Sequence, residues 1–147
     1  METVVLQQVQ KEEFVEFLYE VDSLFPIPLS QKTNIQQLAE KLLEKGTVLA
    51  IIEKEKIVGA VGMYANDVVT KTAYMSVLAV VPAFSGKGIA TKIITDAFYH
   101  ARNAGMEKVY LYTHKTNAGA IALYKKLGFS AQEDPCRPND ILFERKL

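Results

Sequence analysis

The sequence predicts an α/β (α+β) fold, a single domain over residues 1–147 with a mixed central sheet and helices on its faces. Three observations predict it. The length of 147 residues is that of one domain. Apolar residues recur with strand and helix periods in the order β-α-α-β-β-β-α-β-α-β-β. No repeat, low-complexity tract or Pro/Gly/Ser linker divides the chain.

Val4, Leu6 and Val9 predict a short first strand. Phe14, Phe17, Leu18 and Val21 then fall at i, i+3, i+4 and i+7, one face of a helix. The stretch Phe25-Pro-Ile-Pro-Leu29 ends it, because proline removes a donor and clashes with the preceding turn. A second helix is expected to open at Thr33, with Gln36 three residues on as in a capping box. Its buried face would be Ile35, Leu38, Ala39, Leu42 and Leu43, with Gly46 at its end. Residues 47–52 and 57–64 flank the polar link Glu53-Lys-Glu-Lys56 and predict an antiparallel hairpin. A longer apolar strand over 72–81 stops at Pro82, and Gly86-Lys-Gly88 leads into a helix over 88–104. That helix buries Ile89, Ile93, Ala97 and Ala101, with Ile94 and Phe98 beside them, and ends at Gly105. A strand over 109–113, a helix over 117–127 closed by Gly128, and two weaker strands near Phe129 and over 141–143 complete the chain.

Composition excludes several classes. Seventeen Lys and Arg against 17 Asp and Glu give no net charge, which argues against a general nucleic-acid binder. The most apolar run, residues 74–84, is far shorter than the ~20 residues of a membrane span. The start Met1-Glu-Thr-Val-Val-Leu-Gln-Gln lacks the pattern of a signal peptide, so a cytoplasmic protein is expected. A lone Cys136 and two histidines, His100 and His114, provide neither a disulfide nor a metal cluster. Cys136 falls in a loop and is expected to be an incidental thiol.

Two stretches carry chemistry. In Val80-Val-Pro-Ala-Phe-Ser-Gly86-Lys-Gly88-Ile-Ala90 a buried strand runs through a glycine turn into a helix. Unpaired N–H groups and the positive end of the dipole make such a helix start an anion site, with Lys87 adding charge at its rim. The same pattern also describes a turn in which glycine only relieves strain. It is neither a Walker loop, since Lys87 is followed by Gly88, nor a dinucleotide fingerprint, since Ile89-Ala90 breaks the spacing.

The second stretch is Asn117-Ala-Gly-Ala120-Ile121-Ala-Leu123-Tyr124-Lys-Lys-Leu-Gly128-Phe129. Together with the glycine turn some thirty residues before it, in order and spacing, it resembles the GNAT superfamily of acyl-CoA-dependent N-acyltransferases. The element order fits that family over essentially the whole chain. The resemblance implies a mostly antiparallel sheet with a splayed strand pair, whose wedge holds the acyl group. It also implies that Ser85, Gly86, Lys87, Gly88, Ile89 and Ala90 cradle the pyrophosphate of coenzyme A. Leu78 and Val80 would pair with the pantetheine amides like an added strand, and Asn117 would bond the same arm. Tyr124 would sit near the sulfur and protonate the departing thiolate. Acyl transfer to an amine needs a neutral amine, a stabilised oxyanion and that proton.

The residues by themselves leave Tyr124 open between this role and a core position on one helix face with Ala120, Ile121 and Leu127. Ser85 stands where the family turn usually has Gln or Arg, and Tyr112 where many members carry a Glu base. His114, two residues along on the same strand face, is a candidate base or a solvent-facing strand end. Glu53, Asp67 or a water relay are alternatives. Phe25, Pro26, Tyr64 and Tyr74 line the acceptor pocket or belong to the core.

The sequence therefore leads to an acetyl-CoA-dependent N-acetyltransferase acting by direct transfer on a small-molecule primary amine. A protein or peptide amine, or a non-catalytic acyl-CoA sensor, is the alternative. A homodimer is compatible with this reading; nucleic acid, membrane and metal have no part in it. The zero net charge divides as −4 over residues 1–81, +5 over 82–128 and −1 over 129–147. The expectation is a basic coenzyme surface, with Lys87, Lys92, Lys115, Lys125 and Lys126 as candidates, and an acidic side for a cationic amine.

Overall fold

The computed structural model describes residues 1–147. Its first half comprises β1 (Thr3–Val5), α1 (Lys11–Val21), α2 (Leu29–Lys32), α3 (Ile35–Lys45), β2 (Thr47–Glu53) and β3 (Lys56–Tyr64). Its second half comprises β4 (Thr72–Val80), α4 (Ile89–Asn103), β5 (Lys108–His114), α5 (Ala118–Lys126), β6 (Ser130–Glu133) and β7 (Asp140–Lys146). The strands form one sheet in the order β1-β2-β3-β4-β5-β7-β6. Every neighbouring pair is antiparallel except β4 with β5, which run parallel across the helical crossover α4.

Helices cover both faces of β3, and its glycines set how closely they approach. A Cβ on Gly62 would stand 2.7 Å from a methyl carbon of Leu42 in α3, and one on Gly59 would stand 2.9 Å from Ile89 in α4. Phe14, Leu18 and Val21 of α1 with Ala39 and Leu42 of α3 build one buried layer; Ile93, Ile94 and Ala97 of α4 build the other. Each large side chain fully buried this way stabilises the fold by roughly 1.5–3 kcal/mol.

Four local expectations change. The first strand stops at Val5, and Val9 is 86% exposed on a single 3₁₀ turn, so its apolar character marks no strand. α3 is capped by Asn34, whose side chain accepts from the Gln37 N–H at 3.0 Å, and not by Thr33. Thr33 is extended and closes the preceding turn instead. The proline-containing break holds one helical turn, α2, braced by Asp22, whose carboxylate accepts from the Ser30 N–H at 2.8 Å and hydroxyl at 2.6 Å. The last strand is longer than 141–143: all of β7, from Asp140 to Lys146, pairs along β5 and separates it from β6.

Candidate active site

β4 and β5 are hydrogen-bonded partners only over Thr72–Lys108, Ala73–Val109 and Tyr74–Tyr110. Beyond that point the two strands diverge for the rest of their length. On its other edge β4 stays paired with β3, where the register slips by one between Gly62–Val77 and Met63–Met75. Ser76 is the residue without a partner, a β-bulge at the place where the strands part. Bulges bend the strand that carries them.

The gap is a cleft of about 120 Å³ that runs through the sheet. Met75, Ser76, Val77 and Leu78 form one wall, and Leu111, Tyr112, Thr113 and His114 form the other. Phe25, Pro26, Ile27, Leu29 and Lys32 close it on the side of α1 and α2; Asn117, Ala120 and Tyr124 of the α5 region close it opposite. Of the expected acceptor residues, Phe25 and Pro26 line the cleft. Tyr64 and Tyr74 do not line it but stack in a row with Tyr110 at centroid distances of 6.4 and 4.9 Å.

At the end of β4 the Val81 N–H donates to Val58 O of β3 at 2.8 Å. Alternation along a strand then turns the N–H and C=O groups of Leu78 and Val80 to the opposite side, the open edge facing the cleft. The chain continues through the glycine turn. Gly86 and Gly88 take φ of +74° and +78°, the left-handed region, and nothing lies within 4 Å of where either Cβ would point. Ile89 is buried and anchors the turn, while Ser85, Gly86, Lys87 and Gly88 are exposed and Ala90 is half-buried. No backbone N–H from Gly86 to Thr91 donates to a protein acceptor, and α4 has no side-chain cap. Six consecutive donors at the positive end of a 15-residue helix fit a pyrophosphate. Ser85 is committed elsewhere: its hydroxyl donates to Pro82 O at 2.8 Å. The Lys87 ammonium lies over the Phe84 ring, 4.9 Å from its centre.

Tyr124 is buried in an aromatic cluster with Phe129 and Phe143, at centroid distances of 5.5 and 5.6 Å. Burial pushes its phenol up to about 12, against a smaller opposite pull from the Thr113 side chain. It is thus a core residue, as one of the two sequence readings has it, and a wall of the cleft at once. Asn117 caps α5 by accepting from the Ala120 N–H at 3.2 Å, which leaves its side-chain NH₂ uncommitted at the cleft.

Tyr112 donates its hydroxyl to Asp134 at 2.7 Å, and this bond raises the phenol and lowers the carboxyl. The Arg137 guanidinium lies 3.7 Å over the Tyr112 ring and pairs with Asp140 at 3.1 Å. His114 lines the cleft, and its Nδ1 accepts from the Thr116 N–H at 3.2 Å, with Thr116 Oγ1 at 2.7 Å. The neutral ring therefore carries its proton on Nε2. No Asp or Glu lines the cleft; Glu53 and Asp67 lie outside it. Sequence reasoning missed Ser76, Thr113, Thr116, Lys32 and Asp134. Ser76 acts through the strand register and Asp134 through a partner 22 residues away, and neither relation carries a local pattern.

A seven-stranded mixed sheet, parted between its parallel strands and flanked by an open N–H turn, defines the class of this protein. The chain belongs to the acetyltransferase (GNAT) family, which matches residues 10–129. Among curated relatives it is 32% identical over 81 residues to N-alpha-acetyltransferase 30 of Schizosaccharomyces pombe, covering 53% of each chain. It is 31% identical over 86 residues to the mycothiol acetyltransferase of Corynebacterium glutamicum, covering 58% of this chain and 29% of that one. The matches thus span about half or less of these relatives. PaiA N-acetyltransferase from Thermoplasma acidophilum, solved with coenzyme A, shares the fold over 100% of both chains with a TM-score of 0.76 and 18% identity. No helix is long and apolar enough to cross a membrane.

Proposed function

We propose that this chain is an acetyl-CoA-dependent N-acetyltransferase that moves an acetyl group directly to the primary amine of a small molecule. The observation that carries the proposal is the through-sheet cleft, with the open N–H turn at one end and Tyr124 in its wall. Acetyl-CoA would supply the acetyl group activated as a thioester. Gly86 to Thr91 would hold its pyrophosphate, and the open edge at Leu78 and Val80 with the Asn117 amide would hold the pantetheine arm. The N–H groups of that edge would also polarise the thioester carbonyl. Tyr124 would donate its proton to the sulfur as the amine displaces it. His114 is the proposed base, and the Thr116 N–H bond means that it takes up a proton only by releasing Thr116 from Nδ1. The same bond supports a second role, Nε2–H as a donor that orients the acceptor.

A cleft of about 120 Å³ favours a small amine-bearing acceptor, well below the ~300–1,000 Å³ of pockets that enclose drug-sized ligands. The match to an N-alpha-acetyltransferase supports a protein amine as the alternative. The absence of a carboxylate from the cleft supports a non-catalytic acyl-CoA sensor. The exposed, unpaired Cys136 suits the cytoplasm as the site of action. The test follows free thiol released from acetyl-CoA against a panel of amines, with calorimetry for coenzyme A. Amine-dependent release is expected; tight binding without release would identify a sensor, and no binding would overturn the coenzyme assignment.

A further inference from the structure

The charge of the cleft is one-sided. Sixteen residues line it, Lys32 among them, and none is Asp or Glu. The nearby carboxylates are engaged elsewhere: Asp22 accepts from Ser30, Asp134 from Tyr112 and the Cys136 N–H, and Asp140 from Arg137. Lys32 has no ion-pair partner. Its side chain is exposed, while its backbone is held because it ends a helical turn pinned by buried Leu29 and by the Asp22–Ser30 bonds. Across the opening, the Thr116 N–H occupies Nδ1 of His114, so the neutral ring offers Nε2–H, a donor. The acceptor side of the cleft thus presents an unpaired ammonium and an imidazole N–H and no charged acceptor.

A polyamine entering this space would leave water with a second ammonium and find no carboxylate, while Lys32 repelled it. Taking an unpaired charge out of water costs several kcal/mol. An anion on the acceptor reverses both terms. It pairs with Lys32 and takes the His114 N–H.

Resting on the acetyltransfer reading above, we infer that the acceptor is a primary amine carrying an anionic group, a carboxylate or a phosphate, a few bonds from its nitrogen. That group is seated against Lys32 and His114. This assignment departs from the acidic acceptor side expected of the sequence, because none of the acidic residues of the first 81 positions lines the cleft. Glu12, Glu13, Glu16 and Glu20 all lie on the exposed face of α1.

The experiment compares kcat/KM for thiol release in matched pairs: ethanolamine with O-phosphoethanolamine, and propylamine with β-alanine, with spermidine alongside. The anionic member of at least one pair is expected to lead its neutral partner by about tenfold or more. The pair that shows the lead separates phosphate from carboxylate. In Lys32→Glu and Lys32→Gln that ratio is expected to fall by about tenfold, with coenzyme A binding as the check on folding. Spermidine or the neutral amines turning over as well as the anionic ones would overturn the inference and leave the acetyltransfer reading standing. So would a ratio unmoved by either Lys32 variant. Thiol release with no amine at all, alongside intact coenzyme binding, would overturn both.

Discussion

Burial sets the acidity of Tyr124 as well as its packing. A phenol raised to about 12 keeps its proton throughout the neutral range, so the proposed donor is always loaded. An ordinary thiol titrates near 8.5, so the burial that keeps the phenol loaded also makes it the weaker acid of the two. Tyr124→Phe is expected to lower turnover by about 10²–10⁴-fold while coenzyme A affinity holds, as read by thiol release and calorimetry. Equal loss of both would mean that the ring packs and the hydroxyl does nothing. The shift also has a stability consequence. Since the folded-state value lies above the unfolded value of 10.0, the contribution is fully present below pH 10 and is lost as pH rises toward 12. Comparing alkaline unfolding of the wild type with Tyr124→Phe should show up to about 3 kcal/mol of additional pH-dependent loss in the wild type. For His114, replacement by Gln keeps a donor and removes the basic ring nitrogen. A base role predicts loss of the acidic limb of the pH–rate profile; a positioning role predicts an unchanged limb with raised KM.

At the scale of the element, β4 carries a single extra residue in the wall of the cleft. Deleting Ser76 would leave every other pair of the β3–β4 ladder in register, because Gly62–Val77 and Met63–Met75 become consecutive. The expected product is a folded protein with a straighter β4 and most of its turnover gone, checked by circular dichroism beside the thiol assay. Full activity in the deletion would separate the bulge from the cleft. The turn before α4 makes an independent prediction. Gly88 sits at φ +78° with open space above it, so Gly88→Val strains the backbone and puts a branched side chain where the phosphates would lie. A stability loss of about 1–2 kcal/mol is expected, together with at least a tenfold loss of coenzyme A affinity. Unchanged affinity would move the pyrophosphate away from this turn.

Across the whole molecule, the neutral net charge is a sum of faces that do not coincide with the chain segments. Four of the acids of the first segment are solvated on α1, and within the middle segment Lys92 pairs with Asp96 at 2.9 Å. What remains is an open N–H turn on one side of the sheet and an unpaired Lys32 on the other, with the cleft between them. Coenzyme A at a hundred times its Kd should stabilise the fold by about 2.7 kcal/mol, raising Tm by roughly 5–10 °C. In Gly88→Val that rise should vanish, whereas in Tyr124→Phe it should persist.

The sequence by itself determined the α/β class, the helices α1, α4 and α5, the β2–β3 hairpin and the glycine turn, because each rests on local periodicity or on glycine and proline stereochemistry. Its spacing of Gly86-Lys-Gly88 and Asn117 to Phe129 also determined the family. Only the tertiary structure decided the rest. The parting of β4 from β5, the extra residue Ser76, the Asp134 bond that occupies Tyr112 and the Thr116 bond that sets the His114 proton are relations between residues. So is the sign of charge in the cleft, since a carboxylate counts in a segment wherever it points but acts only where it faces. Such relations depend on pairing register and side-chain direction in space, and a linear pattern records neither.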